Sequence, residues 1–221
     1  MKKNNPLYKN QGIHAVNVIF SVQDGVNKVL LTRKQDEPYK GRWLLIGGGV
    51  YNNEEIIDGA KRELFEKSGL SDVELELAAI YSNPDRTKDI RMIAISYIGI
   101  ISGNVTNLIK NVTDLEWFPI NKIPKLGFDH DQILGDAIKI LKEKVTNIDV
   151  LKRMFKTNFT LPELQRLYEM VFERTYDRRN FRRKMLDMGV IEEIGFDETN
   201  CIGRPPKLYR FKDEAREYAF E

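Results

Sequence analysis

Hydrophobic residues in the first two thirds of the chain follow two spacings, which predict two kinds of element. Short runs rich in β-branched and aromatic residues are typical of buried strands. They lie at residues 13–20, 28–33, 43–46, 73–81, 91–101 and 115–118. Segments 55–68 and 131–144 instead predict amphipathic helices, because apolar residues recur every three to four positions. The buried stripe of the first helix consists of Ile56, Ile57, Ala60, Leu64 and Phe65.

The last seventy residues follow a different pattern, which begins where polarity rises around residues 146–149. A short helix at 150–155 precedes a capping box, in which Thr160 stands three residues before Glu163. Asp177 is a suitable N-cap for a further helix over 178–188 that ends at Gly189. Two apolar runs, 190–194 and 207–211, can pair as a hairpin. We therefore predict an α+β protein with a first domain at 1–147 and a winged helix-turn-helix at 148–221.

Composition and charge narrow the picture further. The net charge of the 221 residues is only +2, so a nucleic-acid-binding surface has to be local. The single cysteine, Cys201, excludes an internal disulfide and fits a reducing compartment. The basic N-terminus lacks the apolar run of a signal peptide, and the most apolar segment, 92–101, is about half as long as a membrane span. We expect a cytoplasmic protein with no membrane partner.

A glycine-rich stretch followed by an acidic helix holds the candidate chemistry. Five residues separate Gly48 from Glu54, seven more separate Glu54 from Arg62, and Glu63, Glu66 and Gly69-Leu70 complete the pattern. This spacing resembles the Nudix box, the loop–helix–loop signature of nucleoside-diphosphate hydrolases. The resemblance covers about residues 10–145 and implies an α/β/α sandwich. It also implies Mg²⁺ held by Glu54, Glu63 and Glu66, with Glu63 and Glu66 as the catalytic residues.

Position 67 departs from the box, because Lys67 stands where the family has the second carboxylate of its final acidic pair. Residues 63, 66 and 67 share one helix face, so an ammonium here repels a divalent cation bound at that face. Glu63 four residues before Lys67 is also the favoured orientation for an ion pair within a helix. We therefore predict a pyrophosphatase fold that has lost its turnover. The alternative is that the three glutamates still hold one metal ion and hydrolysis is slow.

Candidate ligand-binding residues lie near the box. Glycines at 47–49 are predicted to form a loop that lets a ligand approach the backbone, and arginine forks bind phosphates or carboxylates. The candidates are Gly47, Gly48, Gly49, Arg86, Arg91 and His130. The alternative for the two arginines is a solvated loop with an internal ion pair to Asp85 or Asp89. The alternative for His130 is to cap a helix beside Asp129.

The predicted helix at 178–188 has one apolar and one basic face. Phe181, Met185 and Met188 share the apolar face, whereas the basic face suits a recognition helix in the major groove and the hairpin suits a wing. The candidate DNA-binding residues are Arg178, Arg179, Asn180, Arg182, Arg183, Lys184, Arg204 and Lys207. The alternatives are a solvated basic helix on a packing or dimerisation domain, or a module that binds RNA or another protein.

The whole chain resembles the Nudix-related transcriptional regulators, a bacterial family that controls cofactor or sugar-utilisation genes. The resemblance implies a homodimer whose Nudix domain senses a small effector and whose winged helix binds double-stranded operator DNA. The implied effectors are ADP-ribose-like nucleotides, sugars or sugar phosphates, and Mg²⁺ is needed only if hydrolysis is retained. The competing hypothesis is a Mg²⁺-dependent Nudix hydrolase of a nucleoside diphosphate derivative such as ADP-ribose.

Overall fold

A computed structural model describes residues 11–23, 26–88, 90–101, 114–154, 158–197 and 205–212. The predicted turn at 24–25, Asp89, Cys201 and Arg204 lie outside the described residues. No helix of the described residues is long and apolar enough to cross a membrane.

Six strands form one mixed sheet in the first domain. They are β1 (Gln11–Gln23), β2 (Val26–Arg33), β3 (Trp43–Gly49), β4 (Glu76–Tyr81), β5 (Arg91–Ile101) and β6 (Leu115–Pro119). Their order is β4-β5-β1-β3-β2-β6, and β1 pairs with β5 in parallel whereas the other pairs are antiparallel. The predicted strand at 73–81 begins later than expected, at Glu76.

Two helices cover the two faces of this sheet, as the alternation along β1 requires. Ala15 and Ile19 pack with α1 (Ile56–Ser68), whereas Val16 and Val18 face α2 (His130–Lys144). The predicted sandwich of α, β and α layers is therefore confirmed. Phe65 is an exception to the predicted stripe of α1, because 55% of it is exposed to solvent.

The glycine run is part of β3, so the predicted loop at 47–49 is wrong. Gly47, Gly48 and Gly49 pair with Val16, Ala15 and His14 of β1. A Cβ atom at Gly47 would lie 2.2 Å from the carbonyl oxygen of Ala15, so glycine is needed for the close approach of these two strands.

The C-terminal domain has the predicted winged-helix architecture. Its helices are α3 (Ile148–Met154), α4 (Leu161–Phe172) and α5 (Arg178–Asp187), and its sheet joins β7 (Phe159–Thr160), β9 (Lys207–Phe211) and β8 (Ile191–Phe196). Thr160 and Glu163 form the predicted capping box of α4. Asp177 caps α5, and Gly189, at φ 67°, follows this helix.

The two domains share one continuous hydrophobic core. It runs from the sheet through α2 and α3 to α4, where Leu164 and Tyr168 are fully buried. The Tyr168 hydroxyl donates a hydrogen bond to the carbonyl oxygen of Val145 at 3.1 Å. Asn27 of the first domain donates to the carbonyl oxygen of Arg166 at 3.0 Å. The winged helix therefore packs directly on the sheet, and the domain limit at 147/148 stays a prediction.

Candidate functional site

Arg62 lies at the centre of the acidic cluster on α1. Its guanidinium donates to both carboxylate oxygens of Glu54, at 2.8 and 3.0 Å, and to Glu63 Oε1 at 2.7 Å. It also contacts Glu66 Oε2 at 3.3 Å and stacks over the Tyr51 ring at 3.9 Å. In the sequence this arginine is visible only as part of the box pattern. The structure makes it the cation that holds the three glutamates together.

Lys67 is the second cation of this cluster. Its ammonium lies 2.9 Å from Glu63 Oε2 and also donates to the carbonyl oxygen of Gly47. The predicted ion pair between Glu63 and Lys67 is therefore confirmed. Burial acts to raise the pKa of Glu63, but hydrogen bonds from Lys67 and Arg62 outweigh it and hold that pKa below its usual value. Glu63 is thus kept ionised and paired.

The three glutamates do not fit the Mg²⁺ that the box implies. Both oxygens of Glu54 accept from Arg62, and one of them also accepts from the backbone N–H of Tyr51. Both oxygens of Glu63 are taken by Arg62 and Lys67. In the part of the chain that the structure describes, no three His, Cys, Asp or Glu side chains are grouped to hold a metal ion. A divalent ion would have to displace two positive side chains from these carboxylates.

The predicted ligand arginines have partners within the protein. Arg86 donates to both oxygens of Asp129, at 2.7 and 2.9 Å, and its side chain is only 5% exposed. An internal ion pair was one of the two alternatives for Arg86, but the observed partner differs from Asp85 or Asp89. Arg91 donates to the carbonyl oxygen of Ser82 at 3.3 Å and is half-buried. Their roles toward a ligand stay predictions.

His130 is the first residue of α2 and is almost fully buried, so in this conformation its ring offers little surface to a ligand. Its Nδ1 accepts a hydrogen bond from the backbone N–H of Leu45 at 3.0 Å. Burial, with a smaller contribution from His14, lowers the pKa of His130 to about 4. The ring is therefore neutral at physiological pH. The alternative that His130 caps a helix is wrong, because Asp129 occupies the N-cap position of α2 and His130 is the first residue of the helix.

His14 is a functional candidate that no motif of the sequence indicated. It lies on β1 opposite Gly49, and burial followed by the charges of Arg86 and Lys67 lowers its pKa to about 4. The His14 ring therefore lies close to both the box helix and the Arg86–Asp129 pair. The available signal was an imidazole in a strand whose other residues, apart from Asn17, are apolar over positions 13–20.

The structure exposes the basic face of α5 and buries its apolar face. Phe181 and Met185 lie in the core, while Met188 at the end of the helix is half-buried. Five predicted DNA-binding residues are exposed and Lys184 is half-buried. The exposed residues are Arg178, Arg179, Asn180, Arg182 and Arg183. Arg183 donates to the side chain of Asn180 at 3.1 Å.

The wing lies beside this helix. A cavity of about 120 Å³ between them is lined in part by Arg178, Arg182 and Lys207, so α5 and β9 contribute cations to one surface. Lys207 also forms an ion pair with Glu193 across the hairpin at 2.6 Å. Arg204 lies beyond the described part of the wing.

An α/β/α sandwich carrying a Nudix-type helix, joined to a winged helix with an open basic face, defines a Nudix protein with a DNA-binding domain. The NUDIX domain family matches residues 13–136, and the NrtR DNA-binding winged helix domain matches residues 142–211. The chain therefore belongs to the Nudix-related transcriptional regulators with an NrtR-type winged helix.

Similar proteins include regulators and a hydrolase. The "ADPR responsive transcriptional repressor NtrR" of Acinetobacter baylyi is 31% identical over 208 residues, which cover 91% of this chain and 82% of the relative. The NrtR of Shewanella oneidensis complexed with a 27mer DNA superposes with a TM-score of 0.75 at 28% identity, covering 90% of this chain and 93% of that one. Its NUDIX domain complexed with ADP ribose superposes with a TM-score of 0.52 at 27% identity, covering 61% and 92%. The "ADP-ribose pyrophosphatase" of Methanocaldococcus jannaschii is 31% identical over 58% of this chain and 75% of the relative.

Proposed function

We propose that the protein is an ADP-ribose-responsive transcriptional regulator, in which the Nudix domain binds the effector and the winged helix binds operator DNA. The observation that carries the proposal is the contrast between two helices. The carboxylates of α1 are held by Arg62 and Lys67, whereas the arginines of α5 are exposed. A domain that neutralises its own carboxylates suits a sensor, because a sensor has to hold its ligand without destroying it.

ADP-ribose is the favoured effector among those that the sequence implied. The names of the Acinetobacter regulator and the Methanocaldococcus hydrolase both refer to this nucleotide, and the Shewanella Nudix domain was crystallised with it. Sugars and sugar phosphates have no support of this kind. A protein that binds operator DNA has to share a compartment with that DNA, which agrees with the predicted cytoplasmic location.

The proposed response is a population shift in a homodimer. Effector bound near Gly47–Gly49, Arg86 and Arg91 would favour one arrangement of the two winged helices, with a differential affinity of about 1–3 kcal/mol. The packing of α2 against α4 offers a route, because the Arg86–Asp129 pair stands at the start of α2. A two-fold dimer also predicts a palindromic operator with half-sites about one or two helical turns apart. Footprinting of a single asymmetric half-site would remove the dimer from this proposal.

Fluorescence anisotropy of the full-length protein with fragments of its own genome tests the proposal. We expect tight binding of a few fragments, which weakens with salt as counterions are released, and a change in that affinity when ADP-ribose is added. Equally weak binding of every fragment, or a selective affinity that ADP-ribose leaves unchanged, would contradict the proposed function. RNA of the same sequence serves as the control for the RNA-binding alternative.

A second candidate function is the Mg²⁺-dependent hydrolysis of ADP-ribose. It is favoured by the similarity to the Methanocaldococcus hydrolase, and it requires Mg²⁺ to displace Arg62 and Lys67 from the glutamates of the box. Release of AMP from ADP-ribose that requires Mg²⁺ and is lost in Glu63→Gln would support it.

A further inference from the structure

Lys67 occupies the position where two oxygen ligands of the box converge. Its ammonium donates to the carbonyl oxygen of Gly47 on β3 and lies 2.9 Å from a carboxylate oxygen of Glu63 on α1. Carbonyl and carboxylate oxygens directed at one point are the ligands that hard divalent cations prefer. In this chain the point is occupied by a cation that is covalently part of the helix.

The neighbouring backbone is shaped to keep Glu63 in this arrangement. A Cβ atom at Gly48 would lie 2.1–2.2 Å from the carboxylate atoms of Glu63, so the carboxylate fills the space that a side chain would need. Arg62 holds the other oxygen of Glu63 at 2.7 Å. The carboxylate is therefore fixed from three sides, and Lys67 has a defined place beside it.

The Lys67 ammonium also keeps a side open to solvent. An ammonium group has three N–H donors, of which Glu63 and Gly47 use two, and 37% of the Lys67 side chain is exposed. A third donor is thus available to an anionic oxygen that enters beside β3. His14 on β1 carries no charge at neutral pH, because its pKa is lowered to about 4. It therefore does not compete with Lys67 for an anion.

We propose that Lys67 is a built-in substitute for a divalent cation and binds the diphosphate of the effector directly, so that effector binding needs no metal ion. This inference rests on the proposed function for the identity of the effector. A tethered ammonium makes the response depend on effector concentration alone, whereas a metal-bridged site would also respond to the free Mg²⁺ level.

Isothermal titration of the full-length protein with ADP-ribose, in EDTA and in Mg²⁺, tests the effector part of the proposal. We expect the wild-type Kd to be the same in both buffers. Lys67→Met should bind at least about tenfold more weakly in both, which corresponds to about 1.4 kcal/mol. Lys67→Arg, which keeps the charge, should retain most of the affinity. Thermal melts of all variants separate a loss of affinity from a loss of folding.

Lys67→Glu should convert the site into a metal site. Glutamates at 63, 66 and 67 would then share one helix face with the carbonyl oxygen of Gly47 nearby, so weak ADP-ribose binding in EDTA should be restored by Mg²⁺. Electron paramagnetic resonance should detect Mn²⁺ bound to Lys67→Glu and not to the wild type. This measurement needs no effector, so it tests the cation position independently of the proposed function.

Two results would overturn the inference. They are a wild-type affinity for ADP-ribose that requires Mg²⁺, and a Lys67→Met variant that binds ADP-ribose as tightly as the wild type in EDTA. Mn²⁺ bound equally well by the wild type and Lys67→Glu would reject the cation substitution itself. Absence of ADP-ribose binding in every protein, together with the expected Mn²⁺ result, would instead reject ADP-ribose as the effector and leave the cation substitution standing.

Discussion

Helices α1 and α5 use charge in opposite ways. At α1, Glu54 just before the helix and Glu63 and Glu66 within it pair with Arg62, and Glu63 also pairs with Lys67, so every one of these side chains takes part in an ion pair. On α5, ten residues include five cations and one carboxylate, and Arg178, Arg179 and Arg182 form no ion pair with any described residue. Charges that are paired within a domain contribute to its fold, whereas exposed like charges remain available to a partner of opposite sign.

The position of the α5 cations strengthens this contrast. Arg178 and Arg179 stand in the first turn, where the helix dipole disfavours positive charge by about 0.3–1 kcal/mol per residue. Asp177 offsets part of this cost, because its carboxylate caps the same turn. Cations that weaken the helix and lie exposed to solvent are expected at positions where the residue type serves binding and not stability.

The largest predicted effect concerns these cations. The double substitution Arg179→Glu/Arg183→Glu should weaken operator binding about 100-fold or more, because it replaces two phosphate or base contacts by two repulsions. Anisotropy titrations over a salt series measure both the affinity and the salt dependence, which should become shallower.

The matched control is Lys122→Glu/Lys139→Glu, which changes the net charge equally on exposed residues of the Nudix domain. It should leave operator affinity close to that of the wild type. If both double variants lost affinity to the same extent, the open face of α5 would have no special role and the comparison with α1 would fail.

Acidification from pH 7 to pH 5 should act through the Nudix domain, because the two histidines of the chain, His14 and His130, both lie there. Burial lowers the pKa of each from 6.5 to about 4. The unfolded chain therefore takes up protons first, and stability that is present above pH 6.5 is lost as the pH falls toward 4, by about 2 kcal/mol per histidine near pH 5. Urea denaturation at several pH values measures the loss, and His14→Asn should reduce its slope. A midpoint that is flat between pH 7 and pH 5 would contradict this assignment.

Removal of the central arginine tests whether the α1 cluster contributes to stability. Arg62→Met should lower the free energy of unfolding by about 1–2 kcal/mol, a modest value because the cluster is partly open to solvent. Lys61→Met is the control, since Lys61 is exposed on the same helix. Equal melting temperatures for the two variants would mean that the glutamates do not need Arg62.

The smallest effect is expected at the glycines beside the cluster. Gly48→Ala should cost about 1 kcal/mol, because its methyl group displaces the Glu63 carboxylate from Lys67. Gly49→Ala is the matched control. Apart from residues 48–50, no heavy atom of the described residues lies within 4 Å of a Cβ atom at this position. Differential scanning calorimetry of the pair would expose an error if Gly49→Ala were the more damaging change.

Local patterns in the sequence predicted the parts of the fold that depend on local forces. The strands, the capping box at Thr160 and the pair of Glu63 with Lys67 all involve residues close in sequence or a regular repeat. The stripe of α1 failed only at Phe65, at the edge of the apolar face.

Contacts between residues far apart in the sequence could not be predicted from local patterns. The pair of Arg86 with Asp129 joins residues 43 positions apart, and sequence distance alone favoured Asp85 or Asp89. The glycines at 47–49 have the composition of a loop, yet they continue β3 because β1 requires a partner with no side chain at Gly47. The partner of Arg86 and the conformation of residues 47–49 thus depend on the assembled sheet and cannot be predicted from local sequence.

The core shared by the sheet, α2 and α4 also limits how a chain of this kind can evolve. Tyr168 and Leu164 of the winged helix are fully buried in that core, and Tyr168 is hydrogen-bonded to Val145. A foreign DNA-binding domain fused after residue 147 would bring neither the matching apolar surface nor that hydroxyl. New operator specificity in this lineage should therefore arise by substitution on the outer face of α5, and exchange of whole domains should require a rebuilt junction.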